Sequence, residues 1–359
     1  QLNQLQIKSY PFLTMPRKRF NLFMKRLNER EIIDLFTSYI NDPLLNKVKN
    51  DDVVILPLRN DLLKKRNRTS SMKIVLKSDM LVESTDVLKI MKPWQIARKA
   101  ILACISDFAA KGIRPYGCLI SIGIPRNYSR KNITSLAVGF SRASKEYNVH
   151  ILGGDTNESR ELTIDCNMMG ITTLPDKKIP RRKGAKIGDL LVTSGKFGYT
   201  SSGLKIILSK LNAEKKFRTK SISSVTVPKP QVEFGFKLAK YFSSSIDSSD
   251  GLSSSLYDLI QKNKVDFVID KIPRAQNLTH FATLNSIKTD DLVFFGGEEY
   301  ETIATIPKQY FKKFMNDARK HRIKVYIIGQ VVRGNGNVIY ESNGVRKIVR
   351  NQGFMHFEK

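Results

Sequence analysis

Cysteine, histidine and long apolar runs are what this chain has least of. Its cysteines, Cys104, Cys118 and Cys166, form an odd set of 3 without a C-x-x-C pair. Each sits in an apolar stretch, which predicts buried free thiols in a reducing cytoplasm rather than a disulfide framework. The histidines (His150, His280, His321, His356) show no metal-ligand spacing, so a zinc site is not expected. No stretch approaches the ~20 apolar residues that a membrane span needs; the best, Cys118 to Ile124, has the length of a strand. This reads as a soluble protein without a membrane segment. Acidic residues are few, 33 against 61 lysines and arginines, for a net charge of +28. That balance suits anionic ligands. It is spread along the chain apart from Arg17 to Arg19 and Lys64 to Arg68, with no aromatic-basic interleaving, so nucleic acid is not the expected partner. Neither a G-x-x-x-x-G-K-[ST] loop nor a G-x-G-x-x-G turn after a strand is present, and protein-kinase signatures are missing.

What is present suffices for a packed protein: 359 residues, 41 % hydrophobic and 26 % charged. That length fits two domains better than one, because single cores seldom grow past ~250 residues. Residues 1–23 read as a flexible or non-native extension, with Met24 as a more natural domain start. A helix from Glu29 to about Ile40 leads to Asn50-Asp51-Asp52 and a strand, Val53 to Leu58. The basic segment Arg59 to Ser71 reads as a loop, and a strand follows at Lys73 to Lys77. Pro93 opens a helix to Lys111 with Gly112 as its stop. A strand (Gly117 to Ile124), a helix (Arg130 to Tyr147) and strands from His150 and from Leu162 to Ile171 complete a first half, 24–175. In that second helix Ile133, Leu136, Ala137, Phe140 and Ala143 recur at helical spacing. The second half, 176–359, begins at the basic cluster Pro175 to Lys186. A strand, Asp189 to Thr193, enters a loop punctuated by Gly195, Gly198 and Gly203. Helices near Gln231 to Tyr241, Gly251 to Gln261 and Gln309 to His321 then alternate with strands near Phe267, Thr302, Val325 and Val338.

The informative feature is a series of aspartates expected where strands stop or helices begin: Asp51-Asp52, Asp79, Asp107, Asp155, Asp247 and Asp250. Taken singly, each is better explained as a turn former or helix cap. Their recurrence beside Ser, Thr and Gly suits Mg²⁺, which takes carboxylate oxygens, water and substrate phosphates. Neighbouring glycines let backbone N–H groups approach phosphate oxygens. On the helix carrying Asp107, the small Ala100 and Ala103 lie on the aspartate's side; they leave room for metal and phosphate, or simply pack tightly.

The ordered blocks Asn50-Asp51-Asp52, Lys77-Ser78-Asp79, Ser106-Asp107-Phe108-Ala109-Ala110-Lys111-Gly112 and Gly153-Gly154-Asp155-Thr156 resemble the thiamine-monophosphate kinase family. So do Arg182 to Asp189, Asp247-Ser248-Ser249-Asp250-Gly251, Gly296-Gly297-Glu298-Glu299-Tyr300-Glu301 and Gly353 to Phe357. The likeness extends from about residue 24 to the C-terminus, within the superfamily of aminoimidazole ribonucleotide synthetase and selenophosphate synthetase. It implies an α+β fold of two domains, a homodimer formed through the first, and ATP-dependent phosphorylation of thiamine monophosphate. By this resemblance Asp52, Ser78, Asp79, Asp107, Asp155, Asp247 and Asp250 hold several Mg²⁺ ions. Gly154, Asp155, Arg182 and Ser249 contact ATP, and Asp86, Glu298 and Phe354 contact the thiamine portion. Two positions depart from the family pattern: Thr85-Asp86 stands where many members have histidine, and Glu299 replaces an aspartate.

No general base is required. A phosphate monoester with a second pKa near ~6 is largely dianionic at neutral pH and attacks directly. The alternatives are another ATP-dependent synthetase of the superfamily and, from a different class, a basic nucleic-acid-binding protein on an inactive scaffold. The retained aspartates speak against the second.

Overall fold

The computed structural model describes residues 28–39, 51–57, 72–260 and 264–356. The chain divides into two compact units, Gln1–Asn41 with Met355–Lys359, and Asp42–Phe354. In the first, α1 (Glu29–Tyr39) starts where Asn28 and Glu31 cap each other, each side chain accepting the other's backbone N–H at 2.9 Å. Asn50, the segment Arg59 to Ser71 and Phe357 lie outside the described residues.

The second unit holds two sheets. The first comprises β1 (Val54–Pro57), β2 (Lys73–Val82), β3 (Pro115–Pro125), β4 (His150–Ser159) and β5 (Thr163–Thr172), in the order β1-β2-β5-β3-β4. Its strands alternate: Val75, Cys118, Ile164, Cys166 and Met168 are buried, while Leu76, Met80, Leu119 and Ile171 face outward. A short helix, α2 (Glu83–Asp86), follows β2. The inner face is covered by α3 (Pro93–Ala110), against which α4 (Arg130–Tyr147) packs. Pro93 fits the first turn of α3 because its missing N–H would have no partner there, and Gly112 at φ +69° ends the turn that follows. Ser129 caps α4 by accepting the Asn132 N–H at 3.2 Å, and Asn148 closes it in the left-handed region. The helix buries a narrow stripe of Leu136, Gly139 and Ala143; Ile133 and Ala137 are exposed.

The second sheet follows the order β12-β11-β8-β10-β6-β9-β7. Its strands are β6 (Leu190–Thr193), β7 (Ser244–Asp247), β8 (Val265–Ile269), β9 (Thr302–Ile306), β10 (Tyr326–Arg333), β11 (Val338–Ser342) and β12 (Val345–Ile348). Around it lie α5 (Tyr199–Leu208), α6 (Lys215–Thr226), α7 (Val232–Leu238), α8 (Leu252–Ile260), α9 (Leu278–Leu284), α10 (Thr289–Phe294) and α11 (Phe311–Lys320). Helix α3 touches β2 and β5 on one side and β7 and β9 on the other, so it is shared by both sheets. Gly235 of α7 permits this: a Cβ there would stand 1.8 Å from Ala109 O.

Several elements differ from the sequence expectation. The region of Gly195, Gly198 and Gly203 is not all loop, since α5 begins at Tyr199. Gly203 is a packing residue, because a Cβ would meet Ser221 O of α6 at 2.3 Å. Strand β7 reads Ser-Ser-Ile-Asp and carries little apolar signal. It is nonetheless fully buried, its serine hydroxyls bonded to Thr305 and to Ala110 O at 2.7 and 2.5 Å. Asp79 and Asp155 lie inside β2 and β4, not at strand ends, because ladder pairing continues past both.

Candidate active site

Three chain segments far apart in sequence converge on one group of carboxylates. Asp52 comes from the turn before β1, Asp107 from α3 and Asp247 from the last position of β7. All three are buried, and each offers an oxygen such that the three lie within 4.8 Å of one another. Burial, then the charges of Asp247, Asp79 and Asp52, drive the Asp107 carboxyl well above the usual range, against the pull of Lys77. Burial pushes Asp247 up to about 6. Burial also raises Asp52, but Lys111 and Arg182 outweigh it and hold that carboxyl low.

Cations surround the cluster. Lys77 Nζ stands 2.8 Å from Asp107 Oδ2 and 3.1 Å from Asp79 Oδ1, tying Asp79 to the group. Lys111, fully buried, lies 2.7 Å from Asp51 Oδ1 and 2.8 Å from Asp52 Oδ2, and donates to Ser245 O at 2.9 Å. Arg182 Nε bonds Asp52 Oδ1 while its Nη1 reaches Asp258 at 3.3 Å. Ser106 Oγ donates to Asp247 Oδ2 at 2.8 Å. A hard divalent cation fits this set: every donor is an oxygen, and the mutual repulsion is what bound positive charge would relieve.

Ser78 faces the other way. Adjacent strand residues point to opposite faces, and Ser78 Oγ donates to Asp165 Oδ1 at 2.9 Å on the outward face of the first sheet. The register sets Asp155 beside Ser121 and Ser121 beside Asp165, so Asp155 belongs to the row next to Ser78, not to the buried cluster. Gly154 pairs with Ile120, whose carbonyl would lie 1.8 Å from any Cβ; only glycine fits there.

A second convergence involves the loops 247–251, 296–301 and 353–354. Ser249 O accepts the Glu298 N–H at 2.6 Å, Ser248 O the Tyr300 N–H at 2.8 Å, and Asp250 O the Phe354 N–H at 2.9 Å. Gly297 and Gly353 allow this approach, since a Cβ at either would lie 2.8 Å from Ser249 O or 2.5 Å from Asp250 O. Glu298 and Tyr300 are both in the left-handed region, at φ +65° and +55°, a strain that such a clamped loop sustains. The Phe354 ring is half exposed. Asp86 and Glu298 meet through Lys99, whose Nζ bonds the Glu298 carboxylate and donates to Asp86 O at 3.0 Å. The Asp86 carboxylate itself accepts the Val82 N–H at 2.7 Å, closing α2.

Lys77, Lys99, Lys111 and Arg181, whose Nη1 lies 3.3 Å from Asp51 Oδ2, escaped the sequence reading as site residues. For three of the site groups a signal existed: Lys99, Asp107 and the C-cap Lys111 fall at i+4 steps along a helix whose other residues are mostly apolar. Charges there demand partners.

Beside the clamped loop, Glu299 is buried and accepts from Thr200 Oγ1 at 2.6 Å; burial holds its carboxyl well above the usual range. Burial likewise pushes Glu301 up to about 7, although Ser194 and the Gln231 N–H bond it. A folded pKa above the unfolded one costs nothing at low pH; the cost grows as pH rises through the unfolded value and levels off above the folded one. Glu301→Gln should therefore raise the Tm at pH 8 by the equivalent of up to about 3 kcal/mol and much less at pH 5. Paired thermal melts check this; equal shifts at both pH values would contradict it.

Residues 50–172 match the model of AIR synthase related protein, N-terminal domain. Thiamine-monophosphate kinase of Nitrosopumilus maritimus is 39 % identical over 334 residues, spanning 93 % of this chain and 100 % of the relative. That of Pyrococcus horikoshii is 31 % identical, spanning 90 % and 95 %. The solved structure of AaThiL complexed with AMPPCP and TMP aligns with a TM-score of 0.77 at 27 % identity, covering 94 % of this chain and 100 % of that one. Ordered blocks, buried carboxylates and similarity over 93 % of the chain lead to one conclusion: this chain belongs to the thiamine-monophosphate kinase family.

Proposed function

We propose that the protein transfers the γ-phosphoryl group of ATP to thiamine monophosphate, giving thiamine diphosphate. The observation that carries this is the convergence of Asp52, Asp107 and Asp247, ringed by Lys77 and Arg182, in a chain related over its length to these kinases. A related protein, AaThiL, has been solved with AMPPCP and TMP bound. The acceptor phosphate is its own nucleophile, so no side chain has to remove a proton. The barrier is repulsion between anions, roughly 4 kcal/mol for a unit pair about 4 Å apart at an effective dielectric of about 20.

Lys77 and Arg182 supply positive charge against that repulsion. Asp52, Asp79, Asp107 and Asp247 would hold magnesium, with Ser78, Asp155 and Asp250 carried over from the resemblance. The bound metal supplies charge neutralisation and alignment of the phosphates. Gly154, Asp155, Arg182 and Ser249 are the proposed ATP contacts; Asp86, Glu298 and Phe354 are those of the acceptor. Under this reading 24–175 is the ATP, metal and pairing domain and 176–359 the second domain.

A homodimer through the first sheet fits its outward face, where Met80, Leu119 and Ile171 are 67, 49 and 48 % exposed, and its ten-residue edge strand β4. Light scattering tests this. No helix of the described residues is long and apolar enough to cross a membrane, and buried free thiols suit the cytoplasm.

The deciding assay measures thiamine diphosphate formed from ATP and thiamine monophosphate with and without magnesium. Absence of product at every magnesium concentration would refute the kinase reading. Phe354→Ala should raise the KM for thiamine monophosphate about ten-fold by removing a stacking face for a cationic ring. A change confined to the KM for ATP would place Phe354 elsewhere.

A further inference from the structure

Lys99 is an ammonium in the interior of the protein, with a side chain 3 % exposed. It is paired with the carboxylate of Glu298, which is itself 26 % exposed. Its second acceptor is the backbone carbonyl of Asp86. It therefore joins the two proposed acceptor contacts, which are far apart in sequence and belong to different sheets' surroundings. Burying a lysine is costly unless its charge is met, so Lys99 depends on the Glu298 carboxylate as its counter-ion. The backbone of Glu298 is held through its N–H to Ser249 O.

The position on α3 gives the pair a further meaning. Lys99, Ala103 and Asp107 follow one another at i+4, so Lys99 is two turns, about 12 Å, from the aspartate of the phosphoryl-transfer cluster. Between them stands a residue no larger than alanine. One rigid helix thus sets the distance between the end that holds phosphate and the end that holds the acceptor's ring.

Resting on the kinase reading above, we propose that Lys99 is a positioning residue for the acceptor. It holds the Glu298 carboxylate against Asp86, so that thiamine monophosphate lies with its phosphate at the Asp107 end. Its loss lets Glu298 turn away, and misplacement by ~1 Å can cost about a hundred-fold.

The test compares wild type, Lys99→Met, Glu298→Gln and the double variant by steady-state kinetics, varying ATP and thiamine monophosphate separately. Expected for Lys99→Met is a rise in acceptor KM of about ten- to a hundred-fold with an ATP KM within about two-fold of wild type. The double variant should be little worse than either single one, since both break the same pair. Equal changes in both KM values, an acceptor KM like wild type, or additive effects would each overturn the proposal. Should Lys99→Met fail to fold, Lys99→Gln is read in the same way. If both fail while Glu298→Gln folds normally, Lys99 is structural and the proposal is wrong. A wild-type enzyme without thiamine monophosphate turnover would instead refute the kinase reading itself.

Discussion

Asp247→Asn is expected to lower kcat by about a thousand-fold while the protein stays folded. The carboxylate ends β7 in a fully buried position, and its oxygen lies within 4.8 Å of oxygens from Asp52 and Asp107. Asparagine keeps the shape and can still accept from Ser106 Oγ, the bond that now reaches Asp247 Oδ2 at 2.8 Å. What it removes is one negative charge where magnesium is proposed to bind. Charge burial at this position is unfavourable, as the upward shift of its carboxyl shows, so stability should hold or rise. Activity and stability are therefore expected to move apart. Turnover across a magnesium titration, with a thermal melt on the same sample, checks both; near-normal turnover would remove Asp247 from the metal assignment.

Lys111 carries the opposite expectation: a large loss of stability. Its three donors face three acceptors, on Asp51, Asp52 and Ser245, and none of its surface is exposed. Lys111→Met keeps the packing and leaves a buried pair of carboxylates to Arg181 and Arg182 alone. Stranding buried charge in this way costs about 3–5 kcal/mol, a large part of the roughly 5–15 kcal/mol that holds a typical protein folded. Urea unfolding should show the loss, and adding Asp51→Asn should restore part of it by removing one stranded charge. A Lys111→Met midpoint equal to wild type would show that the cluster is solvated after all.

These two residues show why the site was only partly legible. Asp247 stood out in the sequence because aspartate beside serine and glycine recurs along the chain. Lys111 did not, because a lysine near a helix end has an ordinary explanation, exposure beside the helix dipole. Its i+4 spacing from Asp107 hints at a partnered charge, and burial shows that it is a counter-ion. Ser78 and Asp79 make the same point within one strand: neighbours in sequence, they face opposite sides of the sheet, and one reaches Asp165 while the other joins Lys77.

The sequence by itself determined the α+β class, the termini of α3 and α4, the buried thiols and the family, since these rest on local spacing, capping and ordered blocks. Tertiary structure alone decided which aspartates share one buried site, which cations neutralise them, and that a strand as polar as β7 is interior. The physical reason is common to all three: a charge or hydroxyl has the same local preference whether exposed or buried. Its role is set by the partners that folding brings to it.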